Sequence, residues 1–472
     1  MASVTILGAG PAGLGAALGL VRHGHEVVVL EQADRVGGNA GSFELAGLHV
    51  DYGSHRFHPA ADPGVFALVR ELLGDDLLAR PRHGRIRLLG RWIHFPLQPV
   101  DLALHAPPRF TTGVLTDLAR KAALRKSHAS ADDTFASVLE RGLGRTICRE
   151  FYFPYARKIW GLEPDQISPV QARRRVSANS IGKLVKRLIP GLGGTGARGR
   201  KGIFYYPRHG YGQISERLAD AARAAGARIQ LGTAARQIDL STVGGHCVET
   251  SAAAGAASVA GRYLWSTIPV TTLVRLIKPP APSDVMTSAS RLELRGMLLV
   301  YLVLGTGQFT EFDAHYFPEE GLPFTRVSEP KNYAALGEPH DRTVLCAEIP
   351  CQRGDAIWSM SDANLGALVK DGLERTDLPV RAPVLDVAVR RLPAAYPIYR
   401  IGYEDNFDCV DRWVSGLDGV LSFGRQGLYA HDNTHHALYM AQAAVECLES
   451  GEFDASAWQR YRQIFETHVV ED

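Results

Sequence analysis

The sequence predicts an α/β fold with a parallel strand–helix–strand unit at the N-terminus, a separate mixed sheet in the second half and a helical cap. Residues 4–7 and 26–30 are short apolar strands of the kind buried on both faces, and residues 11–23 between them have helical periodicity. Leu and Ala recur at helical spacing in residues 64–74 and 101–142. The strand-like segments that predict the separate sheet are residues 294–304, 324–328, 343–349 and 386–391.

The cofactor part of the fold is predicted to be discontinuous, because the C-terminal block at residues 419–450 has a strand, loop and helix pattern that can complete the N-terminal unit. The predicted regions are a cofactor-binding domain of residues 1–75, 205–285 and 400–472, a helical cap of residues 76–204 and a substrate-binding sheet of residues 286–399. The cap includes a Gly-rich basic loop at residues 183–201. This loop is either a solvated surface segment or a lid that attracts an anion.

Composition and charge exclude several classes of function. The 472 residues include 52 Lys and Arg against 50 Asp and Glu, so the formal net charge of +2 does not indicate binding to nucleic acid. Six cysteines without a CxxC pair argue against a disulfide framework and a zinc site, and no metal is predicted. The N-terminus lacks a signal-peptide pattern, and the longest apolar stretch, residues 297–305, is too short to span a bilayer. We expect a cytoplasmic protein that acts on a small molecule.

The strongest motif is GAGPAG, which follows the first strand directly and begins the helix. Gly8 allows the tight turn, Gly10 lets the backbone approach a pyrophosphate, and Gly13 lets the helix pack closely on the sheet. The helix N-terminus adds partial positive charge, and Glu31 at the end of the second strand can accept hydrogen bonds from an adenosine ribose. The alternative is a tight strand-to-helix turn without a ligand, but the complete pattern predicts a Rossmann-like dinucleotide-binding unit.

A second group of motifs gives a resemblance to known enzymes. Arg35, Gly37 and Gly38, in DRVGGNAGSFELAGLHVDYGSHRFHP, resemble the RxGG extension of amine oxidases, protoporphyrinogen oxidases and UDP-galactopyranose mutases, which are FAD enzymes. The resemblance implies that FAD is the cofactor and that these three residues line its diphosphate and flavin. It also implies that Gly424, in GVLSFGRQGLY, lies near the diphosphate and that Asn433 begins a helix directed at the flavin.

The segment GSHRFHP, residues 53–59, resembles the part of the mutases that passes the flavin face. The resemblance implies that Gly53 and His55 lie beside the isoalloxazine ring, and a structural role for His55 is the alternative. Arg56 departs from the mutase pattern, in which an apolar residue is usual at this position.

Two further segments resemble substrate-binding parts of the mutases. FYFPYARKIWG, at residues 151–161, implies that Tyr155 and Trp160 wall a nucleobase or sugar pocket, with a core aromatic cluster as the alternative. The triplet in RRRV implies that one of Arg173, Arg174 and Arg175 is directed at the substrate diphosphate; the register is open, and Arg174 is the middle member.

A third substrate segment is LPFTRVSEPKNY, which resembles the TRI-x-E-x-K segment of the mutases. The resemblance implies that Arg326 binds a substrate phosphate, for which the planar fork of a guanidinium is well suited. Glu329 and Lys331 are expected to hold Arg326 through an ion pair, and a solvated edge strand is the alternative. Tyr396, in AAYPIYRIGY, is the expected hydroxyl donor near the sugar or phosphates.

The resemblance leaves two reactions open, because a flavin either accepts a hydride at N5 or, when reduced, attacks an anomeric carbon without net redox change. His435 and His436 are candidate bases for hydride abstraction, with a surface histidine cluster as the alternative, and His55 and Tyr396 are further catalytic candidates. We predict an FAD-dependent oxidoreductase of the protoporphyrinogen oxidase-like type that oxidises a sugar-like, phosphorylated or nucleotide-linked substrate. A redox-neutral mutase is the first alternative, and a flavoprotein without catalytic activity is the second.

Overall fold

The computed structural model describes residues 1–96, 98, 101, 104–123, 132–175, 202–242, 244–253, 255–449 and 451–470. Twenty strands of this described part form five sheets. In chain order the strands are β1 (Ser3–Leu7), β2 (Glu26–Leu30), β3 (Ser42–Leu45), β4 (Leu48–Asp51), β5 (Leu77–Pro81), β6 (Gly84–Leu88), β7 (Arg91–Phe95), β8 (Ile203–Pro207), β9 (Arg228–Gln230), β10 (Ala234–Asp239), β11 (His246–Ala252), β12 (Gly255–Gly261), β13 (Tyr263–Ser266), β14 (Ile277–Lys278), β15 (Leu294–Leu304), β16 (Ala314–Tyr316), β17 (Arg326–Ser328), β18 (Thr343–Cys351), β19 (Val384–Pro397) and β20 (Val420–Ser422).

The helices of the described residues lie between and beside these sheets. In chain order they are α1 (Pro11–Arg22), α2 (Pro63–Leu73), α3 (Pro108–Ala123), α4 (Phe135–Leu143), α5 (Arg145–Ile147), α6 (Phe153–Trp160), α7 (Pro169–Arg175), α8 (Gln213–Ala224), α9 (Val270–Leu276), α10 (Ser283–Arg291), α11 (Pro330–Ala334), α12 (Asp362–Glu374), α13 (Tyr403–Ser415), α14 (Gly424–Gly427), α15 (Thr434–Glu446) and α16 (Ala455–Phe465). A π-helical turn, Cys148–Tyr152, joins α5 to α6. In the described part of the chain, no helix combines the length and the apolar character that crossing a bilayer requires.

The N-terminal unit forms the centre of a five-stranded parallel sheet with the order β20–β13–β1–β2–β9. Ile6, Val29 and Leu264 in its central strands are fully buried, which explains why these strands are apolar without alternation. Helix α1 packs against α8 and α15, so the N-terminal, middle and C-terminal parts of the chain share one core. The predicted α/β class is confirmed.

A second sheet has seven strands in the order β19–β15–β18–β17–β16–β6–β7. It is mixed, because β16 pairs in parallel with β6 while the other neighbours are antiparallel. The strand-like segments predicted in the second half of the chain all belong to it.

The predicted helical cap contains strands that sequence analysis did not identify. Strands β6 and β7 extend the seven-stranded sheet, and β5 pairs with β8. In RIRLLGRWIHF the apolar Ile86, Leu88 and Ile93 are buried, so a period of two was present in the sequence. Helices α4, α6 and α7 form the helical part of the cap around Phe135 and Ile159. The predicted basic loop at 183–201 lies outside the described residues.

Acid pH is expected to destabilise the protein through four histidines of the described residues whose pKa values are strongly lowered. Burial is the main cause that lowers the pKa of His55, His315 and His435 to about 3 and that of His246 to about 4. The unfolded chain takes up a proton at each of them below pH ~6.5, whereas the folded chain does not, so each removes about 1.4 kcal/mol of unfolding free energy per pH unit. Burial raises the pKa of Asp51 to about 6. Between about pH 6 and 4, protonation of Asp51 in the folded chain therefore raises the unfolding free energy as the pH falls. This gain offsets the loss caused by one histidine.

Denaturant unfolding of the apoprotein at pH 7, 6 and 5 measures this effect. Neither ring nitrogen of His246 has a hydrogen-bond partner among the described residues, so His246→Leu removes a titrating group without breaking a hydrogen bond. The variant should reduce the pH slope by about 1.4 kcal/mol per unit between about pH 6 and 5. His340→Leu, whose native side chain is 81% exposed, is the control and should leave the slope unchanged. An identical pH slope in His246→Leu and the wild type would contradict the lowered pKa of His246 as a source of the acid destabilisation.

Candidate active site

A cavity of about 700 Å³ joins the two sheets. It begins at the carboxyl ends of β1 and β2, where Leu7 and Leu30 line it, and reaches β17 and β18, where Arg326 and Glu348 line it. Open α/β sheets bind ligands at the carboxyl ends of their parallel strands. The predicted cofactor and substrate segments, which lie about 300 residues apart in the chain, therefore contribute to one cavity.

The three glycines of GAGPAG differ in what a side chain at each position would contact. Gly8 has φ +99°, and a Cβ there would lie 2.7 Å from Thr267 Oγ1. A Cβ on Gly13 would lie 2.0 Å from the carbonyl oxygen of Gly8, so glycine is what lets α1 begin so close to β1. The Cβ position of Gly10 meets nothing within 4 Å, and Gly10 lines the cavity. The turn thus leaves open space at the N-terminus of α1, where a dinucleotide diphosphate fits.

Glu31 lines the cavity at the end of β2, and its carboxylate is held by the backbone around it. Oε2 accepts the N–H of Ala9 at 2.8 Å, and Oε1 accepts the N–H of Ala33 at 2.9 Å. Each carboxylate oxygen can accept more than one hydrogen bond, so Glu31 remains able to receive a ribose hydroxyl. The observed contacts show that it also braces the glycine turn.

The RxGG segment is divided between the cavity and the surface. Gly37 and Gly38 line the cavity, and the Gly37 N–H donates to Ala9 O at 2.8 Å. The Arg35 side chain is 44% exposed, lies 3.2 Å from Asp34 and covers the Tyr52 ring at 4.6 Å. These two contacts direct the guanidinium to the surface, so the predicted contact of Arg35 with the cofactor has no support in the structure.

Of the other predicted cofactor residues, Asn433 lines the cavity, whereas Gly53 and Gly424 allow close packing beside it. Gly53 has φ +92°, and a Cβ there would lie 3.3 Å from Glu348 Oε1. Gly424 has φ +78°, and a Cβ there would lie 2.9 Å from the Cβ of Ala12 in α1. Neither glycine lines the cavity.

His55 lies on the cavity wall as a neutral imidazole. Its ring stacks on Tyr211 with centroids 5.1 Å apart and an interplanar angle of 21°. Burial, with smaller contributions from the positive charges of Arg326 and Arg425, lowers the pKa of His55 to about 3. At neutral pH the imidazole is therefore uncharged. It can take part in hydrogen bonds, but it cannot act as an imidazolium acid.

Arg326 is held by Glu348, which sequence analysis did not identify. Arg326 Nε and Nη2 donate to Glu348 Oε1 and Oε2 at 2.9 and 2.8 Å, and Nη2 also lies 3.3 Å from Ser54 O. Glu348 Oε1 accepts the Ser54 N–H at 2.7 Å. The bidentate pair fixes the guanidinium on the cavity wall and leaves Nη1 without a hydrogen-bond partner among the described residues.

The prediction that Glu329 and Lys331 hold Arg326 is wrong. Glu329 accepts two backbone N–H groups at residues 309 and 310, at 2.9 and 3.1 Å. Lys331 Nζ donates to Gly307 O at 2.7 Å. The chain leaves β17 at Ser328 and turns into α11, so both side chains are directed to the neighbouring loop and not along the strand.

Arg56 is a buried part of the same wall. Its Nη1 donates to Tyr316 Oη at 2.9 Å, and its Nη2 lies 3.3 Å from Asp313 Oδ1. The guanidinium carbon lies 5.1 Å from the centre of the Tyr333 ring. A cation thus lines the cavity at a position where the resemblance leads one to expect an apolar side chain.

Tyr155 and Tyr396 line the cavity, but Trp160 does not. Tyr396 stacks on His431 with centroids 5.0 Å apart and an interplanar angle of 14°. Trp160 is 3% exposed and contacts Phe135 in the helical cap, with ring centroids 5.5 Å apart. Five residues apart on a helix, Tyr155 and Trp160 point in directions about 140° apart, so both cannot face the cavity. Trp160 therefore packs in the core of the helical cap, as the alternative reading expected, and its ring also lies 6.5 Å from that of His431.

Three predicted site residues lie behind the cavity wall. Arg174 Nη1 is 3.7 Å from Asp432 Oδ1, and His436 stacks on His468 at 4.2 Å. His435 is 4% exposed, and burial is the main cause that lowers its pKa to about 3. Arg174, His435 and His436 do not line the cavity, so they are not positioned as a substrate ligand or as bases.

Glu348 and Arg425 are the main cavity residues that sequence analysis missed. Glu348 is the one acid in the buried strand TVLCAEIPC. Because acids are rarely buried without a partner, its position could have indicated a site residue. Arg425 directly follows Gly424, and its Nη2 donates to Ala395 O at 2.9 Å. Nothing in the local pattern distinguished it from a surface arginine.

Comparisons with known proteins agree with a flavin site. The family model described as flavin-containing amine oxidoreductase matches residues 11–418. A Mycobacterium tuberculosis protein named as a flavin-containing monoamine oxidase, AofH, is 31% identical over 249 residues, 50% of this chain and 51% of that protein. Protoporphyrinogen oxidase 2, chloroplastic/mitochondrial, of Arabidopsis thaliana is 27% identical over 172 residues, 35% of this chain and 34% of that protein. The chain thus spans about half the length or less of these curated relatives.

Solved structures share the fold over nearly the whole chain. A reduced UDP-galactopyranose mutase superposes with a TM-score of 0.81 and 22% identity, covering 100% of both chains. An Exiguobacterium sp. 255-15 protein described as a protoporphyrinogen oxidase has a TM-score of 0.74 and 19% identity, covering 96% and 99%. Cyclohexylamine oxidase from Brevibacterium oxydans has a TM-score of 0.68 and 17% identity, covering 95% and 99%. At these identities the likeness is one of fold.

Proposed function

The chain belongs to the flavin-containing amine oxidoreductase family, and from this premise we propose that it oxidises an anionic, sugar-like small molecule and not a cationic amine. FAD is the cofactor of this enzyme, and the open space at Gly10 with the positive end of α1 fits its diphosphate. When bound, FAD supplies a two-electron acceptor. Gly37 and Gly38, which lie beside the Ala9–Gly10 turn, would hold it together with Asn433, and Glu31 would accept the ribose hydroxyls.

The proposal is carried by one observation, which is the group of three guanidinium groups around His55. Arg56, Arg326 and Arg425 all line the cavity, and the charges of the last two contribute to the lowered pKa of His55. Asp313 and Glu348 pair with Arg56 and Arg326, yet the charges of Arg326 and Arg425 still disfavour a proton on His55, so the cavity beside His55 favours negative charge. A phosphate or carboxylate gains charge-assisted hydrogen bonds here, whereas an ammonium group is repelled.

The other residues on this wall suit a polyhydroxylated ring. Tyr155 and Tyr396 offer aromatic faces to a sugar or a nucleobase. Neutral His55 can donate one hydrogen bond and accept another, which a hydroxyl group can satisfy reciprocally. His431, which lines the cavity beside Tyr396, replaces His435 and His436 as the candidate base for an alcohol proton.

A redox-neutral, mutase-like rearrangement of a sugar nucleotide is the second candidate. Two observations favour it: the bases first predicted for hydride abstraction, His435 and His436, lie off the cavity, and the reduced mutase shares the fold over the full length. Arg326 would bind a substrate phosphate in either reaction. A flavoprotein that binds its ligand without turnover is the third candidate.

Anaerobic incubation of the oxidised holoenzyme with UDP-sugars separates the three candidates. The proposed oxidation predicts that a substrate bleaches the visible flavin absorption and is recovered two electrons more oxidised. Conversion that occurs only after dithionite reduction, without bleaching by the sugar, would replace oxidation by the mutase reaction. Binding without conversion in either redox state would leave only the non-catalytic role. Bleaching by an alkyl amine, with no effect of any anionic sugar, would overturn the proposed substrate class.

A further inference from the structure

The C-terminal segment after α16 contributes to the wall of the FAD cavity. Val470 lines the cavity, and its N–H donates to Arg174 O at 2.9 Å. Two residues earlier, His468 Nδ1 lies 3.1 Å from Asp432 Oδ2, at hydrogen-bond distance. Asp432 also lines the cavity and directly precedes Asn433, the N-cap of α15. The segment therefore contacts the chain where α15 begins.

Three separate elements meet at Asp432. Its Oδ1 lies 3.7 Å from Arg174 Nη1 in α7 and 4.0 Å from His436 Nδ1 in α15. Its Oδ2 is the atom that lies 3.1 Å from His468 Nδ1. The side chain of Asp432 has no exposed surface. Burial alone would raise the pKa of Asp432, but the hydrogen bond from His468 and the charges of His436, His468 and Arg174 outweigh burial and lower it. We refer to Arg174, Asp432 and His468 as the C-terminal clasp.

Aromatic packing supports the clasp from the side. The His468 ring stacks on His436 with centroids 4.2 Å apart and an interplanar angle of 14°, and it lies 5.6 Å from Phe465 at the end of α16. His468 keeps only 9% of its side-chain surface exposed. The contacts fix the ring on one side of Asp432, so the orientation of Asp432 beside Asn433 depends on His468.

We propose that His468 and Val470 are cofactor-positioning residues, which act through the C-terminal clasp to close the FAD cavity at the N-terminus of α15. His468 would act through Asp432 on the N-cap of α15, and Val470 would exclude water from the cavity wall. Arg174, predicted from the sequence as a substrate ligand, would anchor the segment through its guanidinium and its carbonyl oxygen. The proposal rests on FAD binding and is independent of the substrate.

The same residues also have the spacing of a metal site, because ligand atoms of Asp432, His436 and His468 lie within 4.8 Å of one another. The Arg174 guanidinium beside Asp432 already supplies a positive charge, and a divalent cation would be repelled by it. His436 Nδ1 also accepts the N–H of Asn433, at 3.3 Å, as part of the helix cap. We therefore assign the cluster as an ion-pair clasp, and zinc becomes an outcome of the test.

The test uses the full chain with His468→Ala and, as a conservative rescue, His468→Asn, because an Asn side-chain N–H can replace the donor at Nδ1. Two quantities are measured: the Kd of apoprotein for FAD, and the iodide quenching of bound-flavin fluorescence, which reports solvent access. His468→Ala should raise the Kd by about tenfold, the value of one charge-assisted hydrogen bond, and increase quenching. His468→Asn should lie near the wild type. Thr467→Ala, at an exposed neighbouring position, is the control and should not change either quantity.

Equal Kd and equal quenching in His468→Ala and the wild type would overturn the proposal. If His468→Ala does not fold, Val470→Pro removes the N–H that donates to Arg174 O, and the same two readouts then decide. An increase in quenching with Val470→Pro supports the clasp, and no change refutes it. Added zinc should leave FAD binding of the wild type unchanged. Zinc that tightens FAD binding in the wild type but not in His468→Ala would overturn the ion-pair clasp in favour of a metal site.

Discussion

Gly13→Ala is expected to damage both the fold and FAD binding, whereas Gly10→Ala should damage FAD binding alone. The Cβ that Gly13→Ala introduces would lie 2.0 Å from a backbone oxygen, that of Gly8, so α1 must move away from β1. Overpacking of this kind costs roughly 1–3 kcal/mol of unfolding free energy. At Gly10 a Cβ meets nothing within 4 Å, and φ is −80°, which any residue adopts. The apoprotein should therefore tolerate Gly10→Ala to within about 0.5 kcal/mol.

The two variants form a matched pair for the cofactor site. Gly10→Ala places a Cβ in the open space where the diphosphate is expected, so the Kd for FAD should rise by at least about tenfold, the loss of one charge-assisted backbone hydrogen bond. Denaturant unfolding of both apoproteins and fluorescence titration with FAD measure the two effects. Unchanged FAD affinity in Gly10→Ala would place the diphosphate elsewhere in the cavity.

The second large effect is expected at the Arg326–Glu348 pair. Arg326→Ala alone should lower the free energy of unfolding by about 3–5 kcal/mol, because Glu348 would remain as a buried charge without compensation. The two side chains are only 14% and 4% exposed, so water cannot replace the lost partner easily. A single substitution therefore mixes stability with ligand binding.

The double variant Arg326→Ala with Glu348→Gln separates these contributions. It removes both charges and should recover most of the lost stability. Affinity for an anionic ligand should still fall by about 1.5–3 kcal/mol, the value of a charge-assisted hydrogen bond, while FAD content stays unchanged. Arg85→Ala is the control in the same sheet, because Arg85 packs between Trp92 and Phe312 and does not line the cavity. Equal ligand affinity in the double variant and the wild type would remove Arg326 from the site.

The parts of the fold that sequence analysis predicted are those whose causes are local. The β1–α1–β2 unit follows from apolar strands around a glycine turn, in which Gly8 and Gly13 allow close packing and Gly10 leaves open space. The apolar strands β15 and β18 were likewise identifiable from their own residues. The local sequence was sufficient to predict these strands, because a strand that is buried on both faces has a continuous apolar pattern.

The parts that sequence analysis did not predict depend on which distant residues meet. Arg326 was expected to pair with neighbours in sequence, but strand pairing places it opposite Glu348 on β18. Arg174 was expected to face the substrate, but the return of the chain at Val470 places it in the C-terminal clasp. A charged residue in a motif indicates that a partner is needed. Tertiary structure decides which partner it is.

An equilibrium titration of the oxidised holoenzyme, followed through its flavin absorption under anaerobic conditions, tests the proposed substrate class most directly. The ligands are a UDP-sugar and an alkyl diamine, at low and at high salt. We expect the UDP-sugar to perturb or bleach the flavin spectrum with saturation, more weakly at high salt and in the Arg326/Glu348 double variant, and the diamine to have no effect. A diamine that bleaches the flavin, with a UDP-sugar that leaves the spectrum unchanged, would contradict the assignment of an anionic substrate.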